Sequence, residues 1–450
     1  MRRRAAVLAV VLALAAALSG CSFVGLDAQS LMRAPRPTGA NEADIQNLLD
    51  QTAGDKMILK YPAAGDYRSA IITHDLCGDS GQEAMAFYQK DEDSTGTNVL
   101  FMAKGSDGNW KNIGLFSNPA SQADRVCFGD LSGDGKDEAV VGWGNSQNNT
   151  GTISIYYFSN GKMNELKLNQ SYTEMAVADF DGDGRSEIFT AGVTVGDQPA
   201  SAHLLRMKEN AMEVMGTAPM DAGVTKYASV LTGLVDAHQF GIVLDGVKSA
   251  NTMVTELLYW NKAKNRLEAP FYDPATKTAK STVRSTSVVS KDINGDKILE
   301  IPLVTLLPGY TSTAADDADY LTSWHRYDTA TNTFVRVMSM VINYADGYWF
   351  AIPDMWRGKI TTKLDPATRT MIFYQWMDSP KSAAGVQGPE LMRLEVFTEK
   401  EWGAGAGTKG FFQLAQEDGL VYAAERTSPG NPISMTVQEV RDAFELISKD

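Results

Sequence analysis

The feature that most constrains this chain is a nine-residue acidic loop that occurs four times, each time directly before a short apolar strand. The starts of these loops lie 55, 49 and 113 residues apart. Since the last interval is about two periods, a fifth copy is expected between the third and fourth. Residues 233–245 lie at that place and keep the apolar strand without the acids. The first to fourth loops are residues 75–83, 130–138, 179–187 and 292–300.

Two strands around a turn are predicted after each loop, from runs of aromatic and β-branched residues. Asn160-Gly161 is the clearest turn signal, because this dipeptide adopts the left-handed conformations that a tight hairpin needs. A unit of about 50 residues with about four strands cannot bury both of its faces alone, so the units are expected to stack. The hairpins are predicted at 98–116, 151–168, 201–216, 251–269 and 320–338.

The predicted fold class is mainly β, with a β-propeller of about 5–7 blades and a C-terminal α+β domain. A β-solenoid or a row of small sandwiches is the alternative arrangement of the repeats. From residue 341 the repeat pattern changes, so this part is predicted to be a separate α+β domain or the closing blades. Residues 436–448 are predicted to form an amphipathic helix that begins at Thr436, and residues 41–49 a short helix capped by Asn41.

The N-terminus has the pattern of an export signal. Arg2, Arg3 and Arg4 precede an apolar run over residues 5–18, which is short for a permanent membrane span. Leu18-Ser-Gly-Cys21 then resembles a lipobox, at which a bacterial lipoprotein is lipidated and cleaved. A simple signal peptide and an N-terminal anchor helix remain as alternatives. The predicted organisation is a lipoprotein signal peptide at 1–20, a lipidated Cys21 with a tether at 21–40, the repeat propeller at 41–340 and the last domain at 341–450.

The net charge and the cysteines limit which classes of partner and which covalent links the chain is expected to have. The formal net charge of −14 argues against a nucleic-acid-binding protein, because such proteins contact phosphates through Lys and Arg. The lipid on Cys21 is expected to hold the chain at a cell membrane, on its extracytoplasmic face. Export also permits a disulfide between Cys77 and Cys127, although two buried thiols are the alternative.

The acidic loops have the chemistry of a calcium site. Calcium takes six to eight oxygen ligands, and acids at alternate loop positions can curl around one ion while glycine permits the sharp turn. A turn rich in Asp without a metal is the alternative. The predicted ligands, with a backbone carbonyl from each seventh position, are Asp179, Asp181, Asp183, Arg185 and Glu187; Asp130, Ser132, Asp134, Lys136 and Glu138; and Asp292, Asn294, Asp296, Ile298 and Glu300.

Two departures from the pattern weaken individual copies. Lys297 stands where the second and third loops have glycine, which lowers the affinity expected of the fourth loop. Cys77 stands at the third position of the first loop, and a thiol is a poor calcium ligand, so little binding is expected there.

The loop pattern, D-x-[DNS]-G-D-G-x-x-E before an apolar strand, resembles FG-GAP or VCBS repeats. The resemblance covers residues 70–340 and is clearest in the second and third loops. It implies an integrin-α-type β-propeller in which the loops bind structural calcium.

No catalytic sequence motif was found, and His74, beside the first loop, is interpreted as a strand residue. The chain is therefore predicted not to be an enzyme but a non-catalytic surface lipoprotein that binds an extracellular protein or glycan. An extracellular carbohydrate-active enzyme, a lyase or hydrolase on a propeller scaffold, is the alternative. A substrate-capturing partner of a transport system is a third hypothesis.

Overall fold

The computed structural model describes residues 40–447 except positions 55, 80, 93, 145–150, 210, 312–318, 380–381 and 406–409. Cys21 and the predicted signal segment lie outside these residues. The described chain is mainly β, as predicted, and its strands form antiparallel sheets. None of its helices is long and apolar enough to cross a membrane.

The second, third and fourth sheets are simple meanders in which each strand pairs with the next along the chain. The second sheet consists of β6 (Ala123–Gly129), β7 (Glu138–Trp143), β8 (Thr152–Ser159) and β9 (Lys162–Leu168). The third consists of β10 (Glu174–Ala178), β11 (Glu187–Gly192), β12 (Ser201–Lys208) and β13 (Ala211–Pro219). The fourth consists of β14 (Lys226–Leu234), β15 (Phe240–Ser249), β16 (Thr252–Asn261) and β17 (Arg266–Glu268).

The first sheet has the same meander with one additional strand, because β1 and β2 both pair with β3. Helix α1 (Ala40–Ala53) buries Ile45 and Leu49 against this sheet. The strands are β1 (Ile58–Leu59), β2 (Ile71–His74), β3 (Glu83–Gln89), β4 (Thr97–Lys104) and β5 (Trp110–Asn118).

The remaining strands form two five-stranded sheets and one short hairpin. The hairpin is β18 (Tyr272–Asp273) and β19 (Thr278–Ala279). The fifth sheet has the order β20 (Ile301–Leu306), β21 (Tyr320–Asp328), β22 (Thr333–Asn343), β23 (Tyr348–Ala351) and β29 (Phe444–Leu446). The sixth has the order β24 (Ile360–Asp365), β25 (Thr370–Ser379), β26 (Ser382–Thr398), β28 (Leu420–Arg426) and β27 (Phe412–Glu417).

Neighbouring sheets bury apolar side chains against each other. One cluster joins Phe87 and Phe101 of the first sheet to Trp143 and Tyr156 of the second. A further cluster joins the third sheet to the fourth, where Phe189 and Trp260 are buried. A single sheet of this size cannot bury both faces, so the packing between consecutive sheets supplies the core.

Two helix predictions are corrected by the structure. Helix α1 begins at Ala40, one residue before Asn41, whose side chain instead accepts a hydrogen bond from Lys104 Nζ at 2.7 Å. At the C-terminus Thr436 does cap a helix, α3 (Val437–Asp442), but this helix is only six residues long and does not continue to residue 448. The segment that follows pairs as β29 with the free edge of β23. Backbone pairing with that edge outweighs the helical spacing of the apolar residues. The other helices are α2 (Glu399–Gly403) and a single 3₁₀ turn (Asp354–Trp356).

Candidate functional site

The four acidic loops occupy equivalent places in their sheets. The first three connect the first strand of the meander to the second, between β2 and β3, β6 and β7, and β10 and β11. The fourth leads into β20 after an isolated bridge between Lys291 and Glu300. The repeat seen in the sequence is therefore a repeat in three dimensions, with a loop at the same turn of each sheet.

The first aspartate of a loop accepts hydrogen bonds from the backbone of its own turn. In the third loop, Asp179 Oδ1 accepts from Gly182 N at 2.5 Å and from Asp183 N at 3.1 Å, and Asp179 Oδ2 accepts from Gly184 N at 3.0 Å. The same contacts recur in the second and fourth loops. These bonds are local in sequence, so the acidic pattern itself imposes the turn.

The glutamate that ends each loop is buried and holds the start of the loop. Glu187 Oε2 accepts from Phe180 N at 2.9 Å. The equivalent bond is made by Glu83, Glu138 and Glu300. Each of the four side chains is less than 5% exposed, with values between 0% and 4%. A buried carboxylate needs hydrogen-bond partners for both of its oxygens, and in these four bonds the backbone donates only to Oε2.

Three acids converge in the third loop. Carboxylate oxygens of Asp179, Asp181 and Glu187 all lie within 4.8 Å of one another, and Asp181 Oδ1 is buried without a hydrogen-bond partner. Burial, together with the nearby Asp181 and Asp179, raises the pKa of Glu187 to about 7. Asp183, the fourth predicted carboxylate, lies outside this set. Repelling carboxylates and an oxygen without a partner fit a site for a divalent cation.

The fourth loop makes the same turn contacts with weaker donors, without a comparable convergence of three acids among its described residues. Asn294 replaces an acid and donates to Asp296 Oδ2 at 3.0 Å, while Ile298 N donates to Asp296 Oδ1 at 2.9 Å. Glu300 Oε1 is buried without a partner, and burial raises the pKa of Glu300 to about 7. Lys297 adopts a φ of 70°, close to the 83° and 93° of the glycines at the same position in the second and third loops. The replacement of glycine thus keeps the turn but strains its backbone.

In the second loop a lysine occupies part of the acidic face. Lys136 Nζ lies 3.1 Å from Asp134 Oδ2, and Ser132 supplies a hydroxyl in place of a carboxylate. Asp130 keeps its turn contacts, and burial raises the pKa of Glu138. A cation at this loop would have to displace the Lys136 ammonium from Asp134.

The first loop carries the least suitable donors. Burial raises the pKa of the Cys77 thiol to about 12, with Glu83 adding to the rise, so this group stays protonated at neutral pH. The thiols of Cys77 and Cys127 are both free. A protonated thiol is a poor calcium ligand, so weak or no binding at this copy stays a prediction.

Sequence reasoning missed a buried charged cluster between the second and third sheets, here named the Arg125 cluster. Arg125 Nε lies 2.9 Å from Asp124 Oδ2, and Arg125 Nη1 lies 2.8 Å from Glu174 Oε2. The Tyr172 hydroxyl donates to Asp124 Oδ2 at 3.0 Å. Burial raises the pKa of Glu174. No motif could reveal this cluster, since its members come from two strands that are far apart in sequence.

A second buried polar group lies in the fourth sheet. Glu256 accepts from Asp221 N at 2.7 Å and from the Tyr227 hydroxyl at 3.2 Å. Burial raises the pKa of Glu256 to about 7, and Lys248 pairs with Asp221 at 2.9 Å. His74, predicted to be a strand residue, does end β2 and contacts Asp137 Oδ2 of the second loop at 2.7 Å.

Comparison with known proteins gives one sequence match and several structural ones. Residues 130–190 match the model of the FG-GAP-like repeat, and no curated protein matches the chain. The crystal structure of the exotype rhamnogalacturonan lyase YesX is 12% identical with a TM-score of 0.29, over 74% of this chain and 75% of that chain. The Bacillus licheniformis rhamnogalacturonan lyase PL11 is 13% identical with a TM-score of 0.28, over 74% of this chain and 76% of that chain.

These comparisons correct one prediction and confirm another. The prediction that the chain is not an enzyme rested on the lack of a catalytic motif, whereas both of these similar solved structures are enzymes. The predicted resemblance of the loops to a known repeat is confirmed between the second loop and β11. The match to the FG-GAP-like repeat covers residues 130–190 of this chain.

Proposed function

We propose that the acidic loops bind calcium as a structural ion and that the sheets are blades of a propeller within the predicted 5–7. The first strands of successive sheets, β6, β10 and β14, lie next to one another, which supports a radial arrangement. Bound calcium would neutralise the carboxylates of a loop and hold the first two strands of its sheet together. The third loop is the strongest candidate, followed by the second and fourth.

The observation that carries this proposal is the convergence of Asp179, Asp181 and Glu187 within 4.8 Å around a buried, unpartnered oxygen. Oxygen ligands of this charge are those that calcium prefers. The same loop also offers the Asp183 carboxylate and the Arg185 carbonyl.

Calcium counting tests the proposal directly. The full chain is dialysed against calcium, and the bound metal is measured by mass spectrometry and by calorimetric titration. Asp181→Asn should remove one bound ion, whereas Asp197→Asn, at an exposed acid in the turn after β11, should remove none. A chain without bound calcium, or a D181N variant with an unchanged count, would refute the assignment.

We propose as a second function that the chain is an extracellular carbohydrate-active enzyme, a lyase or hydrolase. The Arg125 cluster supports this proposal, because it holds two carboxylates on one guanidinium and one of them, Glu174, has a raised pKa. A carboxyl with a raised pKa can donate a proton to a leaving oxygen while a second carboxylate remains ionised. The Glu174 side chain is 16% exposed, so solvent reaches it.

An activity screen tests this second proposal. The chain is incubated with neutral and acidic polysaccharides, and products are followed by reducing ends for hydrolysis and by ultraviolet absorbance for the unsaturated sugar of a lyase. Glu174→Gln should reduce the rate at least about 100-fold, in the range of general acid catalysis. Exposed Asp197→Asn should not change it. Equal activity of the two variants would remove Glu174 from the chemistry.

We also propose that a lipid on Cys21 anchors the chain to the extracytoplasmic face of the cell membrane, where a glycan would reach it. Two acyl chains are enough for stable anchoring. Cys21→Ser should move the chain from the membrane fraction to the soluble fraction, as measured by fractionation and by labelling with a radioactive fatty acid.

A further inference from the structure

A lysine of the fourth sheet lies on the third acidic loop. Lys262 is the first residue after β16, and its Nζ donates a hydrogen bond to the backbone oxygen of Gly182, the fourth residue of the loop, at 3.3 Å. This acceptor is a neutral carbonyl, and among the described residues Lys262 has no carboxylate as an ion-pair partner. An exposed cation thus lies beside the acidic loop without being paired to any of its acids.

The charge of Lys262 reaches the acids that converge in this loop. Burial and the neighbouring Asp183 raise the pKa of Asp181, while the Lys262 ammonium acts against this rise. Asp181 directly precedes Gly182, and its Oδ1 is the buried oxygen without a hydrogen-bond partner. Lys262 therefore already provides part of the positive charge that a bound cation would bring to the loop.

The equivalent residue of the fifth sheet contacts the turn of the fourth sheet. Thr329 is the first residue after β21, and its backbone N–H donates to Asp236 Oδ2 at 3.0 Å. Strands β16 and β21 are each the second strand after the turn of their own sheet. The turn of the fourth sheet has one acid and is contacted by a neutral residue, whereas the third loop has four acids and is contacted by a lysine. The charge of the contacting residue thus follows the charge of the turn.

The first and second loops are also contacted by a basic residue of the next sheet, at the same fourth position. A Cβ on Gly78 would lie 2.8 Å from Lys136 Cγ, and a Cβ on Gly133 would lie 2.5 Å from Arg185 Nε. Lys136 and Arg185 themselves belong to acidic loops, whereas Lys262 belongs to a sheet whose own turn lacks the acidic pattern. Lys262 is therefore the basic residue that can be changed without altering another candidate calcium loop.

We propose that Lys262 sets the calcium affinity of the third loop by lowering it. Without calcium, its ammonium partly compensates the repulsion among Asp179, Asp181 and Glu187. With calcium, the ammonium and the ion repel each other. Both effects favour the calcium-free loop, so the loop fills at a higher calcium concentration than its acids alone would require. This inference rests on the proposed calcium site.

Calorimetric titration of the full chain with calcium tests the inference, with the third-loop event defined as the one that Asp181→Asn removes. Lys262→Met should bind calcium at this loop about fivefold or more tightly at low ionic strength, because a positive charge near the ion is lost. Lys262→Arg keeps the charge and should bind calcium as the unaltered chain does. Lys264→Met is the matched control, since Lys264 is an exposed lysine of the same turn and pairs with Glu268 at 2.8 Å.

Two further measurements separate the charge of Lys262 from its packing. The gain in calcium affinity of K262M should fall below about twofold in about 1 M salt, where the screening length is only about 3 Å. In differential scanning calorimetry, K262M should melt below the unaltered chain in chelator. Its melting temperature should then rise more on addition of calcium, because the stabilisation by a ligand grows with its affinity.

Each outcome decides the inference. Equal calcium affinity in K262M, K264M and the unaltered chain would overturn it and leave the calcium proposal intact. A gain in K262R as large as that in K262M would trace the effect to the shape of the side chain and would also overturn it. A titration without any event that D181N removes would refute the calcium proposal and the inference together. Tighter binding in K262M alone, lost in high salt, is the expected result.

Discussion

The third and fourth sheets differ in how the acids in the turn between their first two strands are satisfied. In the third sheet, the turn between the first two strands gathers acids that leave Asp181 Oδ1 without a partner. In the fourth sheet, the equivalent turn keeps a single acid, Asp236, which accepts from Gln239 N at 2.8 Å and from Thr329 N at 3.0 Å. One turn leaves a buried carboxylate oxygen without a partner, whereas the acid of the other turn has its partners within the protein.

The fourth sheet also contains a buried ion pair. Asp245 and Arg284 are fully buried and lie 2.8 Å apart. Asp245 also accepts from Ser290 N at 2.6 Å, and Arg284 donates to Thr255 Oγ1 at 2.8 Å and to Val288 O at 2.7 Å. A protein side chain thus supplies the positive charge next to this buried aspartate, whereas for the third sheet we propose a calcium ion in that role.

The largest expected effect comes from breaking this pair. Arg284→Met leaves Asp245 buried without its counter-charge and should lower the free energy of unfolding by about 3–5 kcal/mol. Urea denaturation should give the same loss in calcium and in chelator. The exposed pair of Arg266 and Glu268 provides the control, since Arg266→Met should cost less than about 1 kcal/mol. A calcium-dependent loss in R284M would contradict the contrast between the two sheets.

The next effect belongs to the third sheet and should depend on calcium. Calcium at about 100 times its dissociation constant should stabilise the fold by about 2.7 kcal/mol, and a chelator should remove this gain. Glu187→Gln keeps the hydrogen bond to Phe180 N but loses a charge, so its melting temperature should respond less to calcium. Differential scanning calorimetry measures both. An identical response of E187Q and the unaltered chain would place the ion elsewhere.

The free energy of unfolding should also change with pH, by about 2 kcal/mol, because of Glu256 in the fourth sheet. The pKa of Glu256 is raised to about 7 by burial, so the folded state binds a proton more tightly than the unfolded chain. This stability is fully present below the unfolded pKa of about 4.3 and is lost as the pH rises through about 7.

Comparison with Glu256→Gln isolates this contribution. Its amide can accept from Asp221 N and donate to the Tyr227 hydroxyl, so the contacts are kept while the titration is removed. Urea denaturation from pH 4.5 to 7.5 should show a steeper decline in the unaltered chain. Parallel curves would mean that Glu256 does not titrate in this range.

The smallest effect concerns the strained turn of the fourth loop. Lys297→Gly should raise the free energy of unfolding by about 1 kcal/mol, because glycine adopts a φ of 70° without the steric cost of a side chain. Lys297→Ala is the matched control, since it removes the long side chain but keeps the Cβ. An equal gain in both variants would trace the effect to the lysine charge rather than to the backbone.

Features that depend on neighbouring residues could be predicted from the sequence. The turn at Asn160-Gly161 joins β8 to β9 as expected, with Ser159 paired to Lys162. The acidic loops form the same turn in each sheet because their hydrogen bonds span only three to seven residues. The acidic loops and the apolar strands that follow them therefore predicted the mainly β character and the repeat.

Contacts between distant segments were decided only by the tertiary structure. Arg125 meets Glu174 across 49 residues, Arg284 meets Asp245 across 39, and β29 leaves its helical pattern to pair with β23. The prediction that the chain is not an enzyme rested on local motifs, and charged groups that come from separate strands leave no such motif. Local hydrogen bonds are encoded by adjacent residues, whereas the partner of a buried charge is set by which sheets pack together.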